Sequence, residues 1–396
     1  MDFPAVRFIL MVFFGDHVAM LRLLATVLPL YLIIRLIVPL RRPLWLKLVL
    51  AAILIVCSAK YPLFEFFYGT FTPPLPRWAM IATGISHGTV VFLTVLCLLR
   101  DLFALGWLLA RHWRPGLPAC RLSAGRWLIG LSLIAVLLAT VATWQGLRVP
   151  EVRHIRLEVP HLPRALDGLR IVQLSDLHIS TSFQRDWVAS IVKTTNALKP
   201  DLICITGDLA DGQPDELAEG LSPLRSLHAP LGVFSCLGNH EYYWGYARWA
   251  QASRDLGLHL LENSHMVLDV KGQAVVMAGV TDPAAQRFGL PLPDIGKALT
   301  GAPPDALRIL LAHRPALFPR SVNAGVDIQL SGHTHGGQVA GLDLVVAAFN
   351  DGFRAGVYQL GAHLLYVSSG CALWPGFPLR LLVPSEITEL TLRAPR

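Results

Sequence analysis

The chain has 396 residues, 53% hydrophobic and only 15% charged, where an ordinary soluble domain carries about a quarter charged residues. Its net charge of +7 is uneven: residues 1–150 hold 14 basic and 4 acidic residues, which leaves 20 of the 34 basic and 23 of the 27 acidic residues for 151–396. This excludes a disordered chain, and it excludes nucleic acid as an expected partner, because the basic excess lies between apolar runs and not on a polar domain. The six cysteines (Cys57, Cys97, Cys120, Cys204, Cys236, Cys371) have neither CxxC nor framework spacing and read as buried thiols.

In chain order, the apolar stretch 3–14 is too short to cross a bilayer, which takes about 20 residues. Four longer runs, at about 21–40, 44–64, 78–99 and 126–144, predict transmembrane helices. Arg35 lies near the end of the first run and is expected to reach the headgroups. The run 102–110 reads as an interfacial extension of the third helix. Arg41, Arg42 and Lys47 in the first loop, and Arg100, Arg111, Arg114, Arg121 and Arg126 in the third, make those loops cytoplasmic by the positive-inside rule. Four crossings then put residues 151–396 on the extracytoplasmic side of the membrane. The expected organisation is a membrane domain at 1–150 followed by a second domain at 151–396.

From residue 151 short β-branched runs alternate with helical stretches. Strands are predicted at 169–174, 202–206, 233–237, 274–280, 308–312, 328–330, 364–368 and 387–392, and helices at 185–199, 214–227 and 246–256. Alternation of this kind argues for α/β layers, and the strand-rich later part for a second sheet packed on the first in a four-layer sandwich.

Five of these strands end in polar motifs: Ser175-Asp176-Leu177-His178, Gly207-Asp208-Leu209-Ala210-Asp211, Gly238-Asn239-His240-Glu241, His313-Arg314-Pro315 and Gly332-His333-Thr334-His335-Gly336-Gly337. Ligands of open α/β sheets bind at the carboxyl ends of strands, so the five motifs converge on one edge. Asp, Asn and His without thiolate suit five- or six-coordinate Mn²⁺, Fe or Zn²⁺ and not a structural tetrahedral zinc.

This ordered set, D-x-H, GD-x-x-D, GNHE, a separate His and GH-x-H, resembles the calcineurin-like metallophosphoesterases over about residues 168–392, and the apolar runs resemble their membrane-anchored branch. The resemblance implies an N-terminal α-helical transmembrane bundle followed by an α/β four-layer metallophosphoesterase sandwich with two packed mixed sheets. It implies two divalent metal ions per chain, with Mn²⁺ first and Fe or Zn²⁺ as the others that fit. Asp176, His178 and His335 would hold one ion and Asn239, His313 and His333 the other, with Asp208 bridging. His240 would act on the phosphoryl group without ligating, and Asp211 would orient imidazoles. Arg314 and Arg380 are candidates to hold a further substrate phosphate. The expected activity is hydrolysis of a phosphodiester or pyrophosphate bond of a lipid-linked or envelope substrate, by in-line attack of a metal-activated hydroxide. The alternatives are a cytoplasmic-facing pyrophosphohydrolase of a nucleotide-linked lipid precursor and a non-catalytic phosphate- or lipid-sensing membrane module.

Overall fold

The computed structural model describes residues 17–70, 72–114, 116–118, 124–374 and 376–395. The stretch 3–14, Cys120 and Arg121 lie outside the described residues. The chain divides into two compact units between Trp144 and Gln145.

The first unit is helical: α1 (His17–Leu32, continuing as a π-helical segment Ile33–Ile37), α2 (Leu44–Ser58), α3 (Lys60–Tyr68), α4 (Arg77–Trp113) and α5 (Ala124–Leu147). Pro43 and Pro76 sit immediately before α2 and α4, where a missing N–H costs no helical hydrogen bond. The helices α4 and α5 are long and apolar enough to cross a membrane. The predicted run 44–64 is a bent pair, with α2 and α3 at 63° on either side of Ala59, and counts as a third candidate span only if taken as one. The predicted run 21–40 falls on α1 and its π-helical continuation, which together run without a break from His17 to Ile37. Residues 102–110 continue the 37-residue α4, as an extension of the predicted third helix. Arg35 pairs with Asp101 (2.7 Å), which also binds Arg100 and the Tyr31 hydroxyl, so its charge meets a carboxylate on a neighbouring helix.

The second unit holds two six-stranded mixed sheets. The first has the order β1-β12-β2-β3-β4-β5 and the second β10-β11-β9-β8-β7-β6. The strands are β1 (Glu151–Glu158), β2 (Arg170–Leu174), β3 (Leu202–Thr206), β4 (Val233–Cys236), β5 (His259–Leu260), β6 (Ser264–Val270), β7 (Gln273–Gly279), β8 (Leu307–Leu311), β9 (Ile328–Ser331), β10 (Gly356–Leu360), β11 (His363–Val367) and β12 (Glu386–Arg393). Alternation along each strand builds the layers. Ile171, Cys204 and Phe234 meet Met277, Ile309 and Leu330 between the sheets. Val172, Ile203 and Ile205 face outward against Trp187, Val188 and Ile191 of α6 (Arg185–Ala197). On the far side, Val276 and Leu310 pack against Ile295, Ala298 and Leu317. The predicted four-layer arrangement is therefore present.

Within it β2, β3 and β4 run parallel, as do β8 and β9, so the loops after them open on the same side of each sheet. The two sheets are tied at that end by buried Gln173, whose amide donates to Thr206 Oγ1 (2.8 Å) and to the Ser331 carbonyl (2.9 Å). The predicted helix 214–227 is two short turns, Ala218–Leu221 and a 3₁₀ segment Ser222–Ser226, because Pro223 enters at the start of the second.

Candidate metal centre

Each predicted donor follows a strand. Asp176 and His178 come after β2, Asp208 after β3, and Asn239 after β4 at the first position of α7 (Asn239–Tyr243). His313 follows β8, and His333 and His335 follow β9. The structure gathers them into three groups of buried or nearly buried donor atoms: Asp176, His178 and His335; Asp208, His313 and His333; and His178, Asp208 and His240. Asn239 adjoins them through Gly238, where a Cβ would lie 2.2 Å from Asp208 Oδ1; only glycine lets the two loops meet this closely.

The hydrogen bonds fix which ring atoms face inward. His178 Nδ1 bonds Asp211 (2.7 Å), leaving Nε2 facing His335 Nε2 at 3.1 Å. His313 Nδ1 donates to the Thr206 carbonyl (2.7 Å), which turns its Nε2 toward His333 Nδ1 (3.2 Å) and Asp208 Oδ2 (3.1 Å). Lone pairs this close repel unless a proton or a cation lies between them. Asn239 Oδ1 and His335 Nδ1 are buried without a hydrogen-bond partner, an expensive condition for polar atoms. The donor set therefore fits a pair of divalent cations, with Asp208 between the two groups.

Electrostatics agree. Burial alone would raise the Asp208 carboxyl, but the His313 and His240 imidazoles hold it well below the usual range. Burial lowers His313 and His240, yet the facing carboxylates win and raise them to about 10 and about 9. His333 and His335 are driven well below the usual value by burial first, and then by Arg314 and His313 in one case and His178 and Arg380 in the other. Neutral imidazoles of this kind are ready ligands.

Five donors, Asp176, His178, Asp208, His333 and His335, have positive φ, between 41° and 69°. For non-glycine residues this costs on the order of 1 kcal/mol each, and such strain concentrates at functional sites.

Around the donors, Asp211 accepts from both His178 Nδ1 and His240 Nδ1, while His240 Nε2 lies 3.9 Å from Asp208. Glu241 accepts the backbone N–H groups of Gly238 (2.7 Å), Asp208 (3.2 Å) and Leu209 (2.6 Å), fixing the two loops that carry Asp208 and Asn239. Arg314 is clamped by Asp282 (3.0 Å) and remains partly exposed. Arg380 is buried, with its guanidinium donating to the carbonyls of Ser369 and Ala372 (2.9 Å each), Val383 (3.2 Å) and Pro384 (3.3 Å). Buried in this way, it braces the chain beside His335 and is not open to an incoming phosphate. Of the aromatic residues after His240, Tyr242 and Trp249 are core, whereas the half-exposed Tyr243 ring lies 5.6 Å from the His240 ring. The Asp282–Arg314 pair left no sequence signal, since the two residues lie on different elements.

Two stacked mixed sheets with a donor-rich edge at the strand ends make an α/β sandwich with a possible metal site, the arrangement of a metallophosphoesterase domain. The chain belongs to the calcineurin-like phosphoesterases, matching that family over residues 169–337. It is 33% identical over 370 residues, covering 89% of this chain and 81% of the relative, to a Bos taurus protein named transmembrane protein with metallophosphoesterase domain. A Danio rerio protein of the same name is 32% identical over 328 residues, 80% of this chain and 74% of its own. An uncharacterised metallophosphoesterase of Campylobacter jejuni is 33% identical over 267 residues, 67% of this chain and 69% of its own. With its apolar helices, the chain falls in the membrane-anchored branch of the family.

Proposed function

We propose that this protein is a multi-pass membrane phosphoesterase that hydrolyses a phosphodiester or pyrophosphate bond of a lipid-linked or envelope substrate, with its catalytic unit on the extracytoplasmic side. The observation that carries the reading is the gathering of acidic and imidazole donors about Asp208 in a chain whose other unit is apolar helices. A hydrolase tethered to a membrane meets substrates confined to that surface.

Asp176, His178 and His335 would hold one cation and Asn239, His313 and His333 the other, with Asp208 shared; Mn²⁺ is the first choice for this oxygen and nitrogen set. Such cations polarise phosphoryl oxygens and acidify water. The chain's own groups do the rest. Asp211 holds the Nδ1 edge of His240, which keeps Nε2 on the Asp208 side, where it stabilises charge and hands a proton to the leaving oxygen. Arg314, fixed by Asp282 and partly exposed, is placed to bind a second phosphate.

The test is hydrolysis of bis-p-nitrophenyl phosphate and of p-nitrophenyl phosphate by the full chain in detergent with Mn²⁺. The diester is expected to be the faster substrate. Turnover of the monoester alone would remove the diester reading, and no turnover despite bound metal would favour a binding module.

A further inference from the structure

The helix α7, which carries Asn239 and His240, ends in two tyrosines with opposite fates. Tyr242 is buried with Leu237, Ala250, Ala284 and Ala285, and its ring stacks on that of Tyr246 (5.1 Å between centres). Tyr243, one residue on and so about 100° further round the helix, turns outward. It is 37% exposed, and its ring lies 5.6 Å from that of His240.

Phe288 comes to the same place from a different element. It ends the 3₁₀ turn Pro283–Phe288, is 47% exposed, and has its ring centre 6.4 Å from that of Tyr243 at an angle of 47°. His240, Tyr243 and Phe288 thus form a row of rings of increasing exposure that leads away from the metal donors.

A single buried side chain holds this row in place. The Asp282 N–H donates to the Tyr242 hydroxyl (3.3 Å), which ties the turn to α7. The Asp282 carboxylate caps the same turn by accepting the Ala284 N–H (2.7 Å), and it also clamps Arg314 (3.0 Å). Asp282 therefore positions the Phe288 turn and the Arg314 guanidinium together. The Tyr243 hydroxyl, raised by burial, feels the opposing charge of that guanidinium.

The place of the row says what it can take. His240 is the group set to hand a proton to the leaving oxygen, so the group attached to that oxygen passes over Tyr243 and Phe288. Two rings tilted at 47° make an apolar wall and not a parallel slot, and such a wall gains by covering hydrocarbon or a ring edge.

We propose that Tyr243 and Phe288 form a subsite for an apolar group carried on the leaving oxygen of the phosphoester, so that esters of apolar alcohols are selected over esters of small ones. Asp282 is its positioning residue. The inference rests on the hydrolase reading above and names the chemical class of the leaving group.

The test is calorimetric binding of ethyl-, pentyl- and benzylphosphonate to the full chain in detergent with Mn²⁺. In these probes a CH₂ stands where the ester oxygen would be, so nothing is hydrolysed and no turnover is needed. Pentyl- and benzylphosphonate are expected to bind about tenfold more tightly than ethylphosphonate. Tyr243→Ala and Phe288→Ala should each reduce that preference to about twofold, with ethylphosphonate affinity unchanged, while Tyr243→Phe, which keeps the ring, should retain it. A stronger benzyl than pentyl response would assign a planar ring to the natural alcohol and the reverse a hydrocarbon chain; both support the subsite. Equal affinity for the three probes, or a preference that survives in both alanine variants, would overturn it. A fall in ethylphosphonate affinity to the same degree would also overturn it, because the rings would then shape the metal centre and not a subsite. A chain that holds Mn²⁺ yet binds none of the three would strike the phosphoryl-binding centre itself, so failure of the hydrolase reading gives a different result from failure of the subsite.

Discussion

The two units bury opposite chemistry. In the second, Asp176, His178, Asp208, Asp211, Glu241 and His313 are almost fully removed from solvent, each facing other buried polar groups. In the first, Leu44, Trp45, Leu48, Ile53 and Val56 of α2 and Leu133 and Leu137 of α5 point outward. A buried charge is tolerable only with partners, so the catalytic unit is built around its polar centre as well as its apolar layers. An outward apolar surface of that extent is tolerable only where the surroundings are hydrocarbon. The same residue types obey one rule in two solvents.

Substitutions can break or sharpen this contrast. The largest effect after loss of the bridging carboxylate is expected from His240→Ala, with turnover down about a hundred- to ten-thousand-fold and bound metal unchanged. Metal analysis alongside the rate decides it, because loss of metal would make His240 a ligand through the group it forms with His178 and Asp208. Next comes Asp211→Asn, which removes the carboxylate from the Nδ1 edges of His178 and His240 and should lower turnover or metal affinity about 10- to 100-fold, read by rate against Mn²⁺ concentration. On the other side of the contrast, Leu137→Asp in α5 should cost about 2.5–3.5 kcal/mol of membrane insertion, seen as protein released by alkaline carbonate, while Val267→Asp on exposed β6 should release none.

The smallest effect concerns stability and pH. Burial alone would raise the Glu389 carboxyl, but Arg170 and His154 hold it below the usual range. A depressed carboxyl contributes stability fully present above its unfolded value of about 4.3 and lost as pH falls through the lower folded value. Glu389→Gln should therefore lower Tm near neutral pH, with the difference from the unsubstituted protein shrinking as the pH falls below that range.

How far the sequence carries depends on where a residue sits. The eight strands it predicts are the eight interior strands, whose apolar runs are unmistakable. The four it misses, β1, β5, β6 and β10, are the four sheet edges. Edge strands keep one side in solvent, and Glu151–Glu158, with four charged residues and a histidine, carries no hydrophobic pattern to read. The donors were legible because each follows a strand end. The positive φ values, the fate of Arg380 and the Arg314–Asp282 clamp were not, since they depend on how distant loops meet. The break at Ala59 did have a signal, Lys60 and Pro62 directly after it, which the predicted run 44–64 spans, whereas the helix Asp343–Phe349 lies in a stretch with no buried face to give it a period.

The most direct test of the account is metal content and diester hydrolysis measured together on the full chain and on Asp208→Ala. Asp208 lies between both donor groups, so the account predicts two ions per chain and Mn²⁺-dependent turnover in the unsubstituted protein, with both lost in the variant. A variant that keeps two ions and its activity would contradict the shared role of Asp208 and the centre built around it.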